Sequence, residues 1–320
     1  MSSGAPPERP IAVVVMGPTA SGKSEIATAL ARRLGGWILS VDSMAVYRGL
    51  DIGTSKPPAE VRREIPHRGL DLAEPGEDYS VGDFVRAADA ALEEMRAAGV
   101  LPILVGGSGL YLRGILKGVS ELPRRDAVVR RRLRELEEAE GTEALHRLLQ
   151  RQDPASARRI APTDRQRVAR ALELAASGVT DVVGKPRGEW LGPDRFPSVK
   201  IGLRRGREDL ASRIRERAEG FLGAGMLEET RRLLARPGAP GNALKALGYR
   251  ELAAHLRGEC DLPAAREAMV RATLQYAKRQ MTWFRKEQDV RWFDLEGPAS
   301  AAAQRIGDYV AERIGDTSRG

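Results

Sequence analysis

The sequence predicts an α/β fold: a parallel sheet built around a phosphate-binding loop and interrupted by an all-helical insertion. Three observations carry the prediction. Short β-branched runs alternate with helical patterns up to about residue 118. Directly after the first run, residues 17–24 satisfy the phosphate-loop pattern G-x-x-x-x-G-K-[ST]. From about Ser120 to Gly178 every pattern is helical. Strand–helix–strand alternation is the grammar of a parallel sheet, and a long helical block inside it reads as an insertion.

Ile11–Met16 (IAVVVM), bounded by Pro10 and Gly17, reads as a strand buried on both faces. Gly22–Leu34 has helical spacing and stops at Gly35–Gly36. Trp37–Val41 is a second strand, Val81–Ala98 a helix closed by Gly99, and Val100–Val105 a third strand ending in Gly106–Gly107. The helical block breaks at Gly141, Pro154 and Pro162, and Thr180–Pro197 reads as a loop. Ser198–Leu203 is a further strand. Helices follow over Asp209–Leu222, Leu227–Ala235, Ala243–Leu256 and Pro263–Glu287, then a last short strand over Val290–Leu295. These elements divide the chain into core segments 1–118 and 198–320, the second mostly helical, around an insertion at 119–197.

Composition narrows the class. The chain has 320 residues, 42% hydrophobic and 30% charged, ordinary for a soluble globular protein. No apolar stretch approaches the roughly 18–20 residues that a membrane helix needs. Met1–Pro10, with three prolines, reads as a loose tail rather than a secretory signal. A single cysteine, Cys260, excludes a disulfide framework and a cysteine-based zinc site, so the cytoplasm is the expected compartment. Nothing suggests a partner helix, and a monomer is expected. Lys and Arg total 52 against 44 Asp and Glu, a formal charge of +8. Between Arg124 and Arg170 alone, 13 arginines face eight acids. Such a balance suits a polyanion, nucleic acid above all, although arginine-rich helices are often simply solvated.

Each residue type in Gly17-Pro18-Thr19-Ala20-Ser21-Gly22-Lys23-Ser24 has a physical reason to be there. The glycines let backbone N–H groups turn inward as an anion nest, and the following helix N-terminus adds partial positive charge. Lys23 reaches the terminal phosphate and Ser24 offers a hydroxyl to Mg²⁺. The ligand class is therefore a di- or triphosphate. No apolar strand ends in an acid pair and no Asn-Lys-x-Asp guanine reader occurs. On the loop alone, an ATP-dependent small-molecule kinase of the nucleotide-kinase type remains open, and on the charge alone a non-catalytic RNA-binding module.

Asp42 ends the second strand, at the sheet edge where open α/β sheets bind ligands. It reads as a base or Mg²⁺ neighbour, or else as an N-cap. Gly106-Gly107-Ser108 is equally a site turn or an ordinary tight turn. Arg213 and Arg217 lie one helical turn apart, on a functional or a solvated face. His67, His146 and His255 stand apart from any cysteine or second histidine and read as structural or surface residues. In the last long helix, Met281, Trp283 and Phe284 read as core.

Eight segments together resemble one family: GPTASGKS (17–24), SVDSMAVYRGLDIGTSKP (40–57), PHRGLD (66–71), YSVGDF (79–84), VGGSGLY (105–111), DRQRVARALE (164–173), LGYRE (247–251) and YAKRQMTWFR (276–285). In order and spacing they are similar to the bacterial tRNA dimethylallyltransferases, over nearly the whole chain. Two positions depart from the family pattern: Ser108 stands where threonine is usual, and Thr163 where asparagine usually precedes Asp164. With one cysteine, the zinc-finger extension of eukaryotic relatives is not expected.

The resemblance implies transfer of a dimethylallyl group from dimethylallyl diphosphate to the exocyclic amine of the adenine 3′ of a tRNA anticodon, with Mg²⁺ as cofactor. It implies that the phosphate loop holds the leaving diphosphate, that Asp42 is the general base, that Ser108 supplies a hydroxyl at the reacting centre and that Arg217 contacts the diphosphate. It assigns contact with the tRNA anticodon stem-loop to Asp42, Ser43, Met44, Ala45, Ser108, Arg130, Gln166, Arg167, Val168, Ala169, Arg170, Leu247, Gly248, Tyr249 and Arg250. For Tyr249 the alternatives are a stacking face for RNA and helix packing.

Overall fold

The computed structural model describes residues 12–119, 122–123, 126–181, 183, 192–236 and 242–317. Ile11, the N-terminal tail and half of the expected 180–197 loop lie outside them. Two compact units form: Met1–Gly118 with Asp194–Gly320, and Val119–Pro193.

The first unit is built on six parallel strands. In chain order they are β1 (Ala12–Met16), β2 (Gly36–Val41), β3 (His67–Arg68), β4 (Leu101–Gly106), β5 (Ser198–Arg204) and β6 (Val290–Asp294). Their spatial order is β3-β2-β4-β1-β5-β6. β1 sits between β4 and β5, and all five of its residues are buried. That burial is why IAVVVM is continuously apolar rather than alternating. Helices α1 (Lys23–Leu34) and α13 (Ser300–Thr317) cover one face. There Ile26, Leu30, Ile306 and Val310 pack with Val13, Ile103 and Ile201. α3 (Val81–Ala97) starts at a capping box between Ser80 and Asp83, and α4 (Gly109–Lys117) follows β4.

Three features differ from the sequence expectation. The two-residue strand β3, the short helix α2 (Ala59–Glu64), α4 and α13 are additional to the expected elements. The expected helix Ala243–Leu256 is broken into a 3₁₀ turn at Ala243–Lys245 and α11 (Tyr249–Leu256). The break falls at Gly248, whose φ is +87°, and a Cβ there would lie 2.5 Å from Met226 Cε; close approach and left-handed backbone together demand glycine. The core also resumes at Asp194, before β5. The Asp194 carboxylate, held below the usual range by Lys117 and Lys200 despite burial, takes both ammonium groups at 2.7 Å.

The remaining helices of this unit are α9 (Arg207–Gly223), α10 (Met226–Leu234) and α12 (Leu262–Phe284), the last capped by Asp261. In the second unit α5 (Ala127–Glu140), α6 (Thr142–Gln152), α7 (Pro154–Arg159) and α8 (Arg165–Ala176) enclose a separate core of Leu133, Leu145, Leu149, Ile160, Val168 and Leu172. His146 is buried there, a ring nitrogen 3.1 Å from the Ile160 carbonyl, so it is structural.

Candidate active site

The phosphate loop spans the gap from β1 to α1. Gly22, at φ +97°, is the N-cap of α1, and a Cβ on it would sit 2.5 Å from Ala299 Cβ. Gly17 has Leu203 O 2.7 Å from where its Cβ would be. The backbone can take this path only without side chains at both ends, which leaves its N–H groups to line a concavity. Lys23 Nζ donates to the Pro18 carbonyl at 2.7 Å, and Ser24 is exposed on the same wall.

α12 holds the loop in place. Thr19 N donates to Gln280 Oε1 at 2.8 Å, while Gln280 Nε2 donates to the Gly107 carbonyl at 2.9 Å. One buried amide thus joins the phosphate loop to the Gly106-Gly107-Ser108 turn at the end of β4. Ser108 Oγ accepts from Ser43 N at 3.1 Å, tying that turn to the end of β2. Asp42 Oδ1 accepts from Met44 N at 2.7 Å and Ala45 N at 3.2 Å, so one oxygen caps the following turn; Oδ2 is not part of that turn. The cap reading of Asp42 is thus met.

Arg217 enters from α9. Its Nη2 donates to Ser55 Oγ, and its guanidinium lies 5.1 Å over the Phe221 ring. Burial lowers its pKa, with Asp42 opposing. Lys23 is pushed down to about 7, first by burial and then by Arg217, with Asp42 again opposing. Burial and the nearby Asp42 push the Tyr276 phenol up to about 12. The result is a half-buried corner shared by Lys23, Arg217, Asp42 and a phenol that stays protonated.

Two open cavities meet at this corner. The larger, about 760 Å³, runs along the phosphate loop and α1. The smaller, about 410 Å³, is bounded by α9, α11 and α12. Thr19, Asp42, Thr54, Arg217 and Tyr276 line both. Ser43, Met44, Leu247 and Arg250 face the smaller cavity, and Ala45 the larger.

Other expected site residues are placed differently. Tyr249 is fully buried and its hydroxyl bonds Glu229 and Gly53 N, so it is a packing residue and presents no ring face to RNA. Val168 is fully buried in the core of the second unit and supports α8 rather than a ligand; Ala169 is half-buried beside it. Arg130 and Arg170 both pair with the buried carboxylate of Glu173, and Arg170 also donates to the Pro123 carbonyl at 2.8 Å. Gln166 and Arg167 are exposed. Sequence reasoning missed Gln280, Tyr276 and Thr54. Gln280 carried a faint signal, as an uncharged polar residue one turn beyond Tyr276 inside a basic and apolar helix.

A glycine-turn loop opening a helix on a parallel sheet, with the Asp42 carboxylate on the same cavity wall, defines a P-loop-type α/β protein. Comparison with known proteins specifies which. The family model described as IPP transferase matches residues 45–287. A tRNA dimethylallyltransferase of Anaeromyxobacter dehalogenans (strain 2CP-C) is 46% identical over 92% of this chain and 98% of its own length. One from Geobacter sulfurreducens is 42% identical over 90% and 92%. The crystal structure of the tRNA isopentenylpyrophosphate transferase from Bacillus halodurans superposes with a TM-score of 0.71, at 34% identity, covering 97% of this chain and 98% of that one. A eukaryotic dimethylallyltransferase acting on tRNA has a TM-score of 0.71 at 26% identity, over 89% and 74%. The chain belongs to the IPP transferase family, that of the tRNA dimethylallyltransferases.

Proposed function

We propose that the chain transfers the dimethylallyl group of dimethylallyl diphosphate to the exocyclic amine of the adenine 3′ of the anticodon in tRNA, releasing diphosphate. One observation carries the reading: Asp42 and Arg217 stand on the wall common to two cavities, one of which holds the phosphate loop. The diphosphate takes the larger cavity and the extruded adenine the smaller, so the two substrates meet at Asp42 from opposite sides.

The allylic C–O bond breaks and its electron pair leaves with the diphosphate. The phosphate-loop N–H groups, Lys23 and Arg217 hold the charge that develops there. The adenine amine, whose lone pair is delocalised into the ring, forms the new C–N bond and passes a proton to Asp42 Oδ2. Ser108, bonded to Ser43, holds the strand ends on which the amine sits. Tyr276 lines both cavities, and the buried Gln280 closes the wall of the larger one beside it. Extruding a base from a loop costs a few kcal/mol, less than from a duplex.

Mg²⁺ fits this site only as an ion carried in with the diphosphate. No cluster of three or more histidine, cysteine or acidic side chains able to hold a metal exists among the described residues. Ser24, exposed at the cradle, supplies a hydroxyl, and Mg²⁺ characteristically keeps phosphate oxygens and waters as its other ligands. When bound, it would neutralise charge on the leaving group.

Gln166 and Arg167, exposed on α8, serve the anticodon stem-loop, and Arg130 and Arg170 brace that helix through Glu173. The proposed functional unit is a monomer, working in the cytoplasm. No described helix is long and apolar enough to cross a membrane.

The test is incubation with Mg²⁺, labelled dimethylallyl diphosphate and a synthetic anticodon stem-loop carrying adenine at the target position. Label should enter RNA, and not when that adenine is replaced by guanine. Phosphate transfer from labelled ATP to a small acceptor, with no prenylation of RNA, would establish the kinase reading instead.

A further inference from the structure

Glu229 is a buried carboxylate, 5% exposed, that makes no ion pair among the described residues. Its Oε2 accepts from Asp51 N at 3.1 Å and its Oε1 from Ile52 N at 3.1 Å. Tyr249 also donates its hydroxyl to Glu229 Oε1, and that same hydroxyl accepts from Gly53 N at 3.1 Å. Burial and the Glu229 charge both raise the Tyr249 pKa, so the phenol stays a donor. Three consecutive backbone N–H groups, 51 to 53, are therefore captured by two side chains far away in sequence. The approach is close: a Cβ on Gly53 would lie 2.5 Å from Tyr249 Cε2.

The clamp leads straight into the site. Thr54 lines both cavities, and Ser55 Oγ accepts from Arg217 Nη2. Ser55 holds a left-handed φ of +53°. Immediately beyond, the fully buried Lys56 ammonium bonds Asp71 at 2.6 Å and the Tyr47 carbonyl at 2.7 Å. Thr54 and Ser55 are thus the only two residues between two anchored points. A buried carboxylate without a cation is costly unless its hydrogen bonds are met, and here they are spent on one short segment.

We propose that Glu229 and Tyr249 are positioning residues: through the Asp51–Ser55 segment they set where the Arg217 guanidinium stands against Asp42 and the diphosphate. The proposal rests on the reading that Arg217 holds the diphosphate. Neither residue touches the reacting atoms. Their effect passes through Ser55, a coupling that mere stabilisation of the fold would not require.

Affinity for inorganic pyrophosphate, with Mg²⁺ and without RNA, tests this by calorimetry on the full chain. Arg217→Gln, Tyr249→Phe, Ser55→Ala and the double variant Tyr249→Phe/Ser55→Ala are compared. Tyr249→Phe and Ser55→Ala should each weaken binding by at least about tenfold, the lower end of the loss for one hydrogen bond to a charged group. The double variant should bind no more weakly than the worse single variant, because both cut one tether. Multiplying effects, or unchanged affinity in both single variants, would overturn the proposal. Should Tyr249→Phe lose the fold, the exposed Ser55→Ala still decides, since unchanged affinity there overturns it. If Arg217→Gln itself binds as the parent does, the underlying reading of Arg217 fails, and this proposal with it.

Discussion

Arg217, on α9, weighs on Lys23, on α1, across the cavity that both line: with burial, the Arg217 charge holds the Lys23 ammonium down at about 7. Asp42 offsets only part of this. Two basic groups in a half-buried pocket with one carboxylate form an arrangement that an incoming polyanion completes.

Diphosphate binding should therefore take up a proton. At pH 8 the ligand-free Lys23 is mostly neutral, and a bound diphosphate raises its pKa and recharges it. Calorimetric titration with pyrophosphate in two buffers of different ionisation enthalpy should reveal uptake approaching one proton, and Lys23→Met should abolish it. The sign for stability is the reverse of a salt-bridged lysine. The folded pKa lies below the unfolded value of 10.5, so the unfolded chain binds more protons between about pH 7 and 10.5 and stability rises with pH across that window. Lys23→Met should flatten that rise in a Tm series.

Asp42→Asn separates the two duties of this side chain. The amide oxygen can still accept from Met44 and Ala45 N–H, so the turn should survive. The proton acceptor is lost, and kcat should fall by about 10²–10⁴-fold, the usual worth of a general base. Tm and stem-loop affinity should stay near parent values. A turnover within a few-fold of the parent would remove Asp42 from the chemistry.

Much of this fold was legible because its signals are local. β1, β2, β4 and β5 are β-branched or apolar runs bounded by glycine or proline, and the cradle from Gly17 to Ser24 is one uninterrupted segment. What escaped depends on distant partners. β3 is two residues long and exists only by pairing with Ile38 and Leu39. α13 hides its buried Ile306 and Val310 among alanines and charges. Within the site, Asp42 was readable from its strand end, whereas Gln280 finds Thr19 and Gly107 only after folding. Tyr249 was ambiguous for the same reason: a Gly-Tyr-Arg triplet does not reveal that Glu229 will close over the phenol.

Gln280→Leu should loosen the cradle without touching its charges. The substitution leaves Thr19 N and the Gly107 carbonyl without their buried partners, each costing about 1–3 kcal/mol. The expected outcome is a KM for dimethylallyl diphosphate raised at least tenfold, with stem-loop affinity nearly unchanged. An unaltered KM would mean that the cradle holds its shape unaided.

Arginines in the second unit should split into two kinds. Arg167 is 67% exposed at its side chain, and its one ionic contact among the described residues, at 3.4 Å, is to Asp164, the N-cap of its own helix. Arg167→Ala should weaken tRNA binding, reduce the dependence of log Kd on log salt by about one unit and leave Tm alone. Arg130 instead shares Glu173 with Arg170, and Glu173 is only 2% exposed. Removing Arg130 leaves that carboxylate with one cation where it had two, and partly unpaired buried charge is expensive. Arg130→Ala should therefore lower the Tm of the chain, and pairing it with Glu173→Gln should recover part of the loss, because the buried charge is then gone. If Arg130→Ala changes the salt slope as Arg167→Ala does while Tm holds, Arg130 meets phosphate directly and its pairing with Glu173 is dispensable.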